Sequence, residues 1–223
     1  MQVSTDEVYG SIETFEANEE TAFRPNSPYS ASKASADMLV RAYNQTYGLP
    51  TVVTHGSNTY GPRQFPEKFI PLLILRTLSG FSLPIYGTGE NEREWIHVDD
   101  HVKGIIAVLA SGIVGQSYNL GSTNKLQNLE VAKFLSVRMD TILPSDTNGK
   151  IEDLIEFVSD RPGHDFRYAM DSSKARNQLN WEPEVNFEDG LASTIDWYIS
   201  NDQWWKPITR ENYDLARLGI RET

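Results

Sequence analysis

Five residues near the start of the chain could between them move protons and hydride. Thr5, Asp6 and Glu7 are consecutive within Val3-Ser4-Thr5-Asp6-Glu7-Val8-Tyr9-Gly10, and Tyr29 and Lys33 stand four apart within Tyr29-Ser30-Ala31-Ser32-Lys33. A residue and its fourth successor share a face of an α-helix, so a helix here sets a phenol beside an ammonium. Adjacent carboxylic acids suit acid–base work, because crowded like charges push one group to keep its proton while the other ionises. On a regular strand Asp6 and Glu7 would point to opposite faces, so both reach one ligand only if the strand end is distorted. Read alone, Tyr29 could also be a packing tyrosine, Lys33 a solvated lysine and Asp6-Glu7 a solvated turn.

The elements that must position these groups alternate between strand and helix. Residues 1–5 read as a strand, residues 11–28 as an acidic loop, and Tyr29 to Tyr47 as a helix with Ala36, Leu39, Val40 and Tyr43 at helical spacing and Gly48 as its stop. The β-branched run at 51–55 suits a buried strand, with a turn after it at Asn58-Thr59-Tyr60-Gly61-Pro62. Further helices are expected at 69–78, 102–110, 128–143, 173–179 and 187–199, and strands at 83–86, 94–98, 117–120 and 155–158. Asp99-Asp100 reads as the cap of the helix that follows. Such alternation predicts an α/β fold with a parallel sheet, in which ligands sit at the exits of the strands.

Composition narrows the function classes. At 223 residues, 39% hydrophobic and 23% charged, the chain is ordinary globular material able to bury a core. A formal charge of −11 argues against nucleic acid as a partner. There is no cysteine, which excludes disulfides and thiolate catalysis, and the four histidines are scattered without metal-ligand spacing. No apolar run approaches the ~20 residues that span a bilayer, and the first residues do not resemble a secretory signal. A cytoplasmic protein without a membrane partner or a metal is the expectation.

With the order of its motifs in view, the chain resembles the extended short-chain dehydrogenase/reductases, and within them the nucleotide-sugar dehydratases typified by dTDP-glucose 4,6-dehydratase. The resemblance is carried by Ser4–Gly10, Tyr29–Lys33, Ser57-Asn58-Thr59-Tyr60-Gly61-Pro62, Phe65–Pro71, Pro84–Gly87, Arg93-Glu94-Trp95, Tyr118–Gly121 and Asp160-Arg161-Pro162-Gly163-His164-Asp165. It implies NAD as cofactor, dTDP-glucose as substrate and dehydration to a 4-keto-6-deoxy sugar. Tyr29 would take the 4-hydroxyl proton, helped by Lys33, which would also hold the nicotinamide ribose. Thr5 would hydrogen-bond the 4-hydroxyl, Asp6 would protonate the departing 6-hydroxyl and Glu7 would remove the C5 proton. Asn58, Glu67, Lys68, Arg93, Asn128, Arg161, His164 and Tyr213 would contact the nucleotide-sugar, with Pro84, Ile85 and Tyr86 lining the base. Thr59 stands where the family usually has an asparagine near the cofactor, and a hydroxyl cannot reproduce an amide's paired donor and acceptor.

The sequence holds no Gly-rich strand-to-helix turn of the kind that cradles a dinucleotide. The expected architecture is therefore the C-terminal part of a Rossmann-like parallel sheet plus a smaller mixed α/β substrate domain. Residues 1–62 would form the second half of the NAD-binding domain, with later segments returning to it, and 63–223 mainly the nucleotide-sugar-binding domain. On this expectation a preceding half completes the enzyme, and the family's usual homodimer forms through the Tyr29–Tyr47 helix. Two alternatives stay open: an inactive remnant that keeps a nucleotide-sugar site, and an NAD-dependent nucleotide-sugar epimerase. The Asp6-Glu7 pair favours the dehydratase over the epimerase.

Overall fold

The computed structural model describes residues 1–143, 149–211 and 215. In chain order the strands are β1 (Gln2–Thr5), β2 (Val53–Gly56), β3 (Asn58–Tyr60), β4 (Leu83–Tyr86), β5 (Glu92–His97), β6 (Ser117–Leu120), β7 (Lys125–Gln127) and β8 (Ile155–Val158). The helices are α1 (Pro28–Tyr47), α2 (Phe69–Leu78), α3 (Val98–Ser111), α4 (Asn128–Ile142), α5 (Ser173–Leu179), α6 (Phe187–Ser200) and α7 (Asp202–Glu211). Short 3-10 turns occupy Asp6–Tyr9 and Ile151–Leu154. This is the α/β alternation expected of a Rossmann-like fold.

The chain divides into two compact units. The first comprises Met1–Thr59, Asn91–Leu126 and Pro162–Phe187, and the second Tyr60–Glu90, Gln127–Arg161 and Glu188–Thr223.

The first unit is built on a parallel sheet in the order β1-β2-β6. Its register places Thr5, Gly56 and Leu120 in one row at the strand exits. Three segments leave from that row, carrying Asp6–Tyr9, Ser57–Thr59 and Gly121–Ser122. Every residue of β2 is buried, as a central strand with both faces covered requires. A cluster of Val52, Ile96, Val108, Tyr118, Leu120, Ala175 and Trp181 fills one face of this unit. A second cluster joins Val8, Tyr9, Ile12, Ala17, Ala34 and Met170 beneath the 3-10 turn.

Helix α1 starts where local chemistry tells it to. Ser27 caps it through the Ser30 N–H, the Ser30 side chain answers to the Ser27 N–H, and Pro28 takes the first position. Gly48, left-handed at φ 67°, ends it. Its buried face is not the apolar spacing in the sequence. Ser30, Ala34 and Asp37 face inward, whereas Leu39 and Tyr43 are 61% and 52% exposed.

Other elements depart from expectation for local reasons. Asn58–Tyr60 is a strand rather than the start of a turn, in a second sheet ordered β3-β5-β7. Helix α3 begins at Val98, capped by the His97 ring accepting from the Asp99 N–H, so Asp99 and Asp100 lie inside its first turn.

In the second unit β4 pairs in parallel with β8. The largely apolar α2, polar only at Arg76 and Thr77, buries Ile70, Leu73, Ile74 and Leu75 against α4, which contributes Val131, Leu135 and Met139 to the buried set. Trp204 and Trp205 are held on α7, where the Trp205 indole N–H donates to the Tyr198 carbonyl at 2.8 Å.

Candidate active site

Strand β1 ends at Thr5, and the chain then winds into a 3-10 turn. That turn resolves the facing problem of two adjacent acids, because Asp6 and Glu7 follow one another around a helix rather than along a strand. Thr5 is its cap: its hydroxyl accepts from the Glu7 N–H at 3.3 Å and donates to Asp6 Oδ1 at 3.1 Å.

The two acids differ in environment. Asp6 is 4% exposed, and its Oδ2 is buried without a hydrogen-bond partner. Burial, then the negative charges of Glu7 and Glu94, raise its carboxyl from 3.8 to about 8, against the Thr5 hydrogen bond and the Arg93 guanidinium. Glu7 is more accessible. The pair therefore offers a held proton beside a second carboxyl, which is the division of labour that elimination of water requires.

Tyr29 stands on α1, half-exposed, with its phenol close to Thr5. Its phenol is raised above the ordinary value, first by burial and then by Glu7 and Asp6, with Thr5 acting the other way. Lys33, one turn on, donates from Nζ to the Val3 carbonyl at 2.7 Å. Thr5, Asp6, Glu7, Tyr29 and Lys33 are thus gathered around the exit of β1, as the resemblance implies.

At the neighbouring exit, Asn58 Oδ1 and Ser57 Oγ are buried without hydrogen-bond partners among the described residues. The Thr59 hydroxyl lies 2.7 Å from His101 Nδ1 and donates to the Ser57 carbonyl at 3.2 Å. The amide missing at position 59 is thus replaced by a hydroxyl tied to an imidazole. Burial lowers His101 from 6.5 to about 4, so the ring is neutral, and Gly56 gives it room: a Cβ there would lie 2.5 Å from the ring.

Arg93 is buried and already committed. It donates to the carbonyls of Glu92, Asp165 and Phe166 at 2.7–3.1 Å, and its guanidinium lies 4.4 Å from the centre of the Tyr168 ring. Asp165 anchors the Asp160–Asp165 run, accepting from Asn26 at 2.6 Å and from the Tyr168 hydroxyl at 2.8 Å. His164 lies half-buried in the same run.

The remaining positions belong to the second unit. Glu67 and Lys68 pair with each other at 2.9 Å just before α2. Pro84, Ile85 and Tyr86 form β4, Asn128 is the buried first residue of α4, and Arg161 is exposed after β8. Tyr213 lies outside the described residues.

Two groups gained no role from the sequence. Glu94 on β5 is fully buried, with its carboxyl raised to about 7 by burial. His55 sits in a buried chain of polar contacts. The Tyr9 hydroxyl meets His55 Nδ1 at 3.0 Å and donates to Asn119 Oδ1 at 2.8 Å, while Asp37 touches His55 Nε2 at 3.3 Å and accepts from Ser4 at 2.5 Å. The Arg-Glu-Trp motif marked Glu94's neighbourhood, but not its complete burial. Among the described residues no cluster of acids and histidines could hold a metal ion, and no helix is long and apolar enough to cross a membrane.

Known proteins resemble this chain in sequence and fold. The family model described as GDP-mannose 4,6 dehydratase matches residues 1–194. A dTDP-glucose 4,6-dehydratase from Xanthomonas campestris pv. campestris is 49% identical over 220 residues, 98% of this chain and 63% of that protein. The chain thus spans just under two thirds of the length of such relatives. A dTDP-glucose 4,6-dehydratase structure from Bacillus anthracis, in complex with NAD, superposes with a TM-score of 0.86 at 49% identity, covering 93% of this chain and 63% of that one. A second, from Streptomyces venezuelae and also with NAD bound, gives 0.87 at 45% identity, covering 93% and 62%. With one family's model running through residues 1–194 and solved relatives sharing its fold, this chain belongs to the GDP-mannose 4,6 dehydratase family.

Proposed function

We propose that the chain carries the acid–base centre of a dTDP-glucose 4,6-dehydratase, a lyase that uses NAD to make a 4-keto-6-deoxy sugar. The observation that carries the reading is Asp6. A carboxyl that keeps its proton to about pH 8, followed immediately by a second acid, is what removal of water needs and what simple epimerisation does not.

In this reading Tyr29 takes the proton of the sugar 4-hydroxyl, while the Thr5 hydroxyl holds that oxygen. Tyr29's raised phenol means that this step needs a positive charge brought close. Lys33 supplies it by swinging from the Val3 carbonyl. Glu7 then removes the C5 proton, Asp6 delivers its own to the C6 oxygen, the C6–O bond breaks and water departs. Glu7 gains the proton that Asp6 loses in the balance of the step.

The residues present fit the nicotinamide end of a dinucleotide. Tyr29 and Lys33 would hold its ribose, and Thr59, with the orphaned buried acceptor Asn58 Oδ1 beside it, would line the neighbouring exit. When bound, the nicotinamide supplies the acceptor for hydride from C4 and the donor that returns it to C6. We assign the first unit to this chemistry. The second carries the nucleotide-sugar contacts Glu67, Lys68, Pro84, Ile85, Tyr86, Asn128 and Arg161, and Arg93, His164 and Tyr213 are assigned to the same ligand.

The reading includes a homodimer joined through α1, supported by the exposed apolar side chains of Met38, Leu39, Tyr43 and Tyr47. It places the protein in the cytoplasm, where nucleotide-activated sugars and NAD are met.

The test is incubation of the chain with dTDP-glucose and NAD, with dTDP binding followed by calorimetry in parallel. Product with a 4-keto group in the parent chain, lost in Asp6→Asn and Glu7→Gln while dTDP binding persists, supports the assignment. Turnover that survives both substitutions, or no preference for dTDP over a free hexose, overturns it.

A further inference from the structure

We propose that His55 is a positioning residue for the acid–base centre. It ties the far end of the turn that carries Asp6 and Glu7 to the helix that carries Tyr29 and Lys33. The inference deepens the dehydratase reading and rests on it for its functional meaning.

The tie starts on α1. Tyr29, Lys33 and Asp37 follow one another at intervals of four, so they run down one side of the helix. Asp37 is buried, and its Oδ2 takes the Ser4 hydroxyl at 2.5 Å, while Oδ1 closes no hydrogen bond among the described residues. That bond and the one from Lys33 to the Val3 carbonyl pin the helix to β1, ahead of the turn. Neither reaches Tyr9, the last residue of the turn. His55 does. From β2 its buried ring sets Nε2 3.3 Å from Asp37 Oδ2 and Nδ1 3.0 Å from the Tyr9 hydroxyl.

The hydrogen atoms fix the direction of that second contact. The Asn119 amide nitrogen is spent on the carbonyls of Ala17 and Asp171, at 2.9 and 3.2 Å. Its oxygen is therefore the atom turned to Tyr9, and the phenol's one proton goes to it at 2.8 Å. The Tyr9 oxygen is left to accept, so the His55 ring carries a proton on Nδ1 and donates it. Nε2 then faces the Asp37 carboxyl, and that contact is an ion pair whenever Nε2 is protonated as well. The rings of Tyr9, Phe23 and His55 meet edge to face with centroids 5.2–5.6 Å apart, which holds the imidazole plane.

Other contacts of the turn do not supply this tie. The Arg24 N–H bonds the Val8 carbonyl at 2.9 Å, which joins the turn to the loop rather than to α1. The apolar cluster beneath the turn is non-directional. Fastened at Thr5 and again at Tyr9, the turn keeps its two acids at a fixed station relative to Tyr29, as concerted acid–base work requires.

The experiment is amide hydrogen exchange on the full chain, parent against His55→Leu. The Glu7 N–H bonds the Thr5 hydroxyl and the Gly10 N–H bonds the Glu7 carbonyl, so both report on the turn. The N–H groups of Glu92 and Trp95, bonded to the carbonyls of Phe166 and Asn124, report on the same unit away from His55. In His55→Leu the Glu7 and Gly10 amides are expected to lose protection about tenfold beyond any change at Glu92 and Trp95. Unchanged protection at Glu7 and Gly10, or a loss in step with Glu92 and Trp95, overturns the proposal. Should that variant not fold, Tyr9→Phe, which removes only the hydroxyl, is read in the same way. Nitrogen NMR of the parent is expected to place a proton on His55 Nδ1, and a bare Nδ1 overturns the tie. With dTDP-glucose and NAD, the folded variant is expected to lose about a hundredfold in kcat while dTDP binding persists; full kcat in a variant with a loosened turn overturns the positioning role. Selective loss of protection in a chain whose parent does not dehydrate dTDP-glucose would refute the proposed function and leave the tie standing.

Discussion

Replacing Asp6 by asparagine is expected to stabilise the chain, increasingly so as the pH rises. In the unfolded chain this carboxyl ionises near 3.8, whereas in the fold it holds its proton to about 8. Between those values the folded state binds the extra proton, so stability falls as pH rises, by about 1.4 kcal/mol per unit. The contribution of the protonated form is complete below the unfolded value and is lost as pH climbs through the folded one. Asp6 is almost fully buried, so solvent screening takes little from this figure. From about pH 5 to about pH 7 the difference between variant and parent should grow by about 3 kcal/mol, a large share of a typical domain's stability. Asparagine can still accept the Thr5 hydroxyl at Oδ1 and carries no charge to bury. Urea unfolding of both chains across that range measures the effect. If the stability difference stays constant with pH, the folded carboxyl is ionised, and Asp6 cannot be the neutral-pH acid.

Three further outcomes follow from the same geometry. Gly121→Ala should destabilise the fold by about 1–3 kcal/mol in thermal unfolding, because the new Cβ forces the buried Glu94 carboxyl, 1.8 Å away, to shift in a packed interior. Tyr9→Phe removes the hydroxyl between His55 and Asn119 and should cost about 1–3 kcal/mol in denaturant unfolding, since it orphans buried polar groups. His101 is lowered by burial from 6.5 to about 4, so its neutral form lends stability that is present above the unfolded value and lost as pH falls through the folded one. His101→Gln should therefore flatten the acid limb of the stability profile in that window, as seen by circular dichroism.

Most elements were legible because their signals are local. Ser27, Pro28 and Gly48 bracket α1, and the largely apolar run at 69–78, longer than a usual strand, reads as a buried helix. The candidate cluster at the exit of β1 was legible through motif order, since Thr5 and Tyr29 meet only in three dimensions. What escaped was set by tertiary packing. The inward face of α1 is small and polar because Ser4 and His55 reach Asp37 there, so the apolar spacing marked the outward face instead. Glu94 escaped for a related reason: no local pattern says that a strand glutamate has a glycine opposite it and no water near it. His101 carries no local signal, and its tie to Thr59 spans forty-two positions.

The segmentation of the fold constrains how the chain can be made and cut. The first unit takes its third segment from Pro162–Phe187, so it cannot close until that segment has been made. Strands β1, β2 and β6 close over long intervening stretches, a high-contact-order arrangement that folds late and slowly. Nascent chains will carry the Thr5–Lys33 groups without the Met170 clamp beneath them, exposing apolar surface to chaperones in the interval. For the same reason no single cut in the chain releases either unit whole, and expression of residues 1–62 alone should yield an unfolded peptide rather than a miniature catalytic domain.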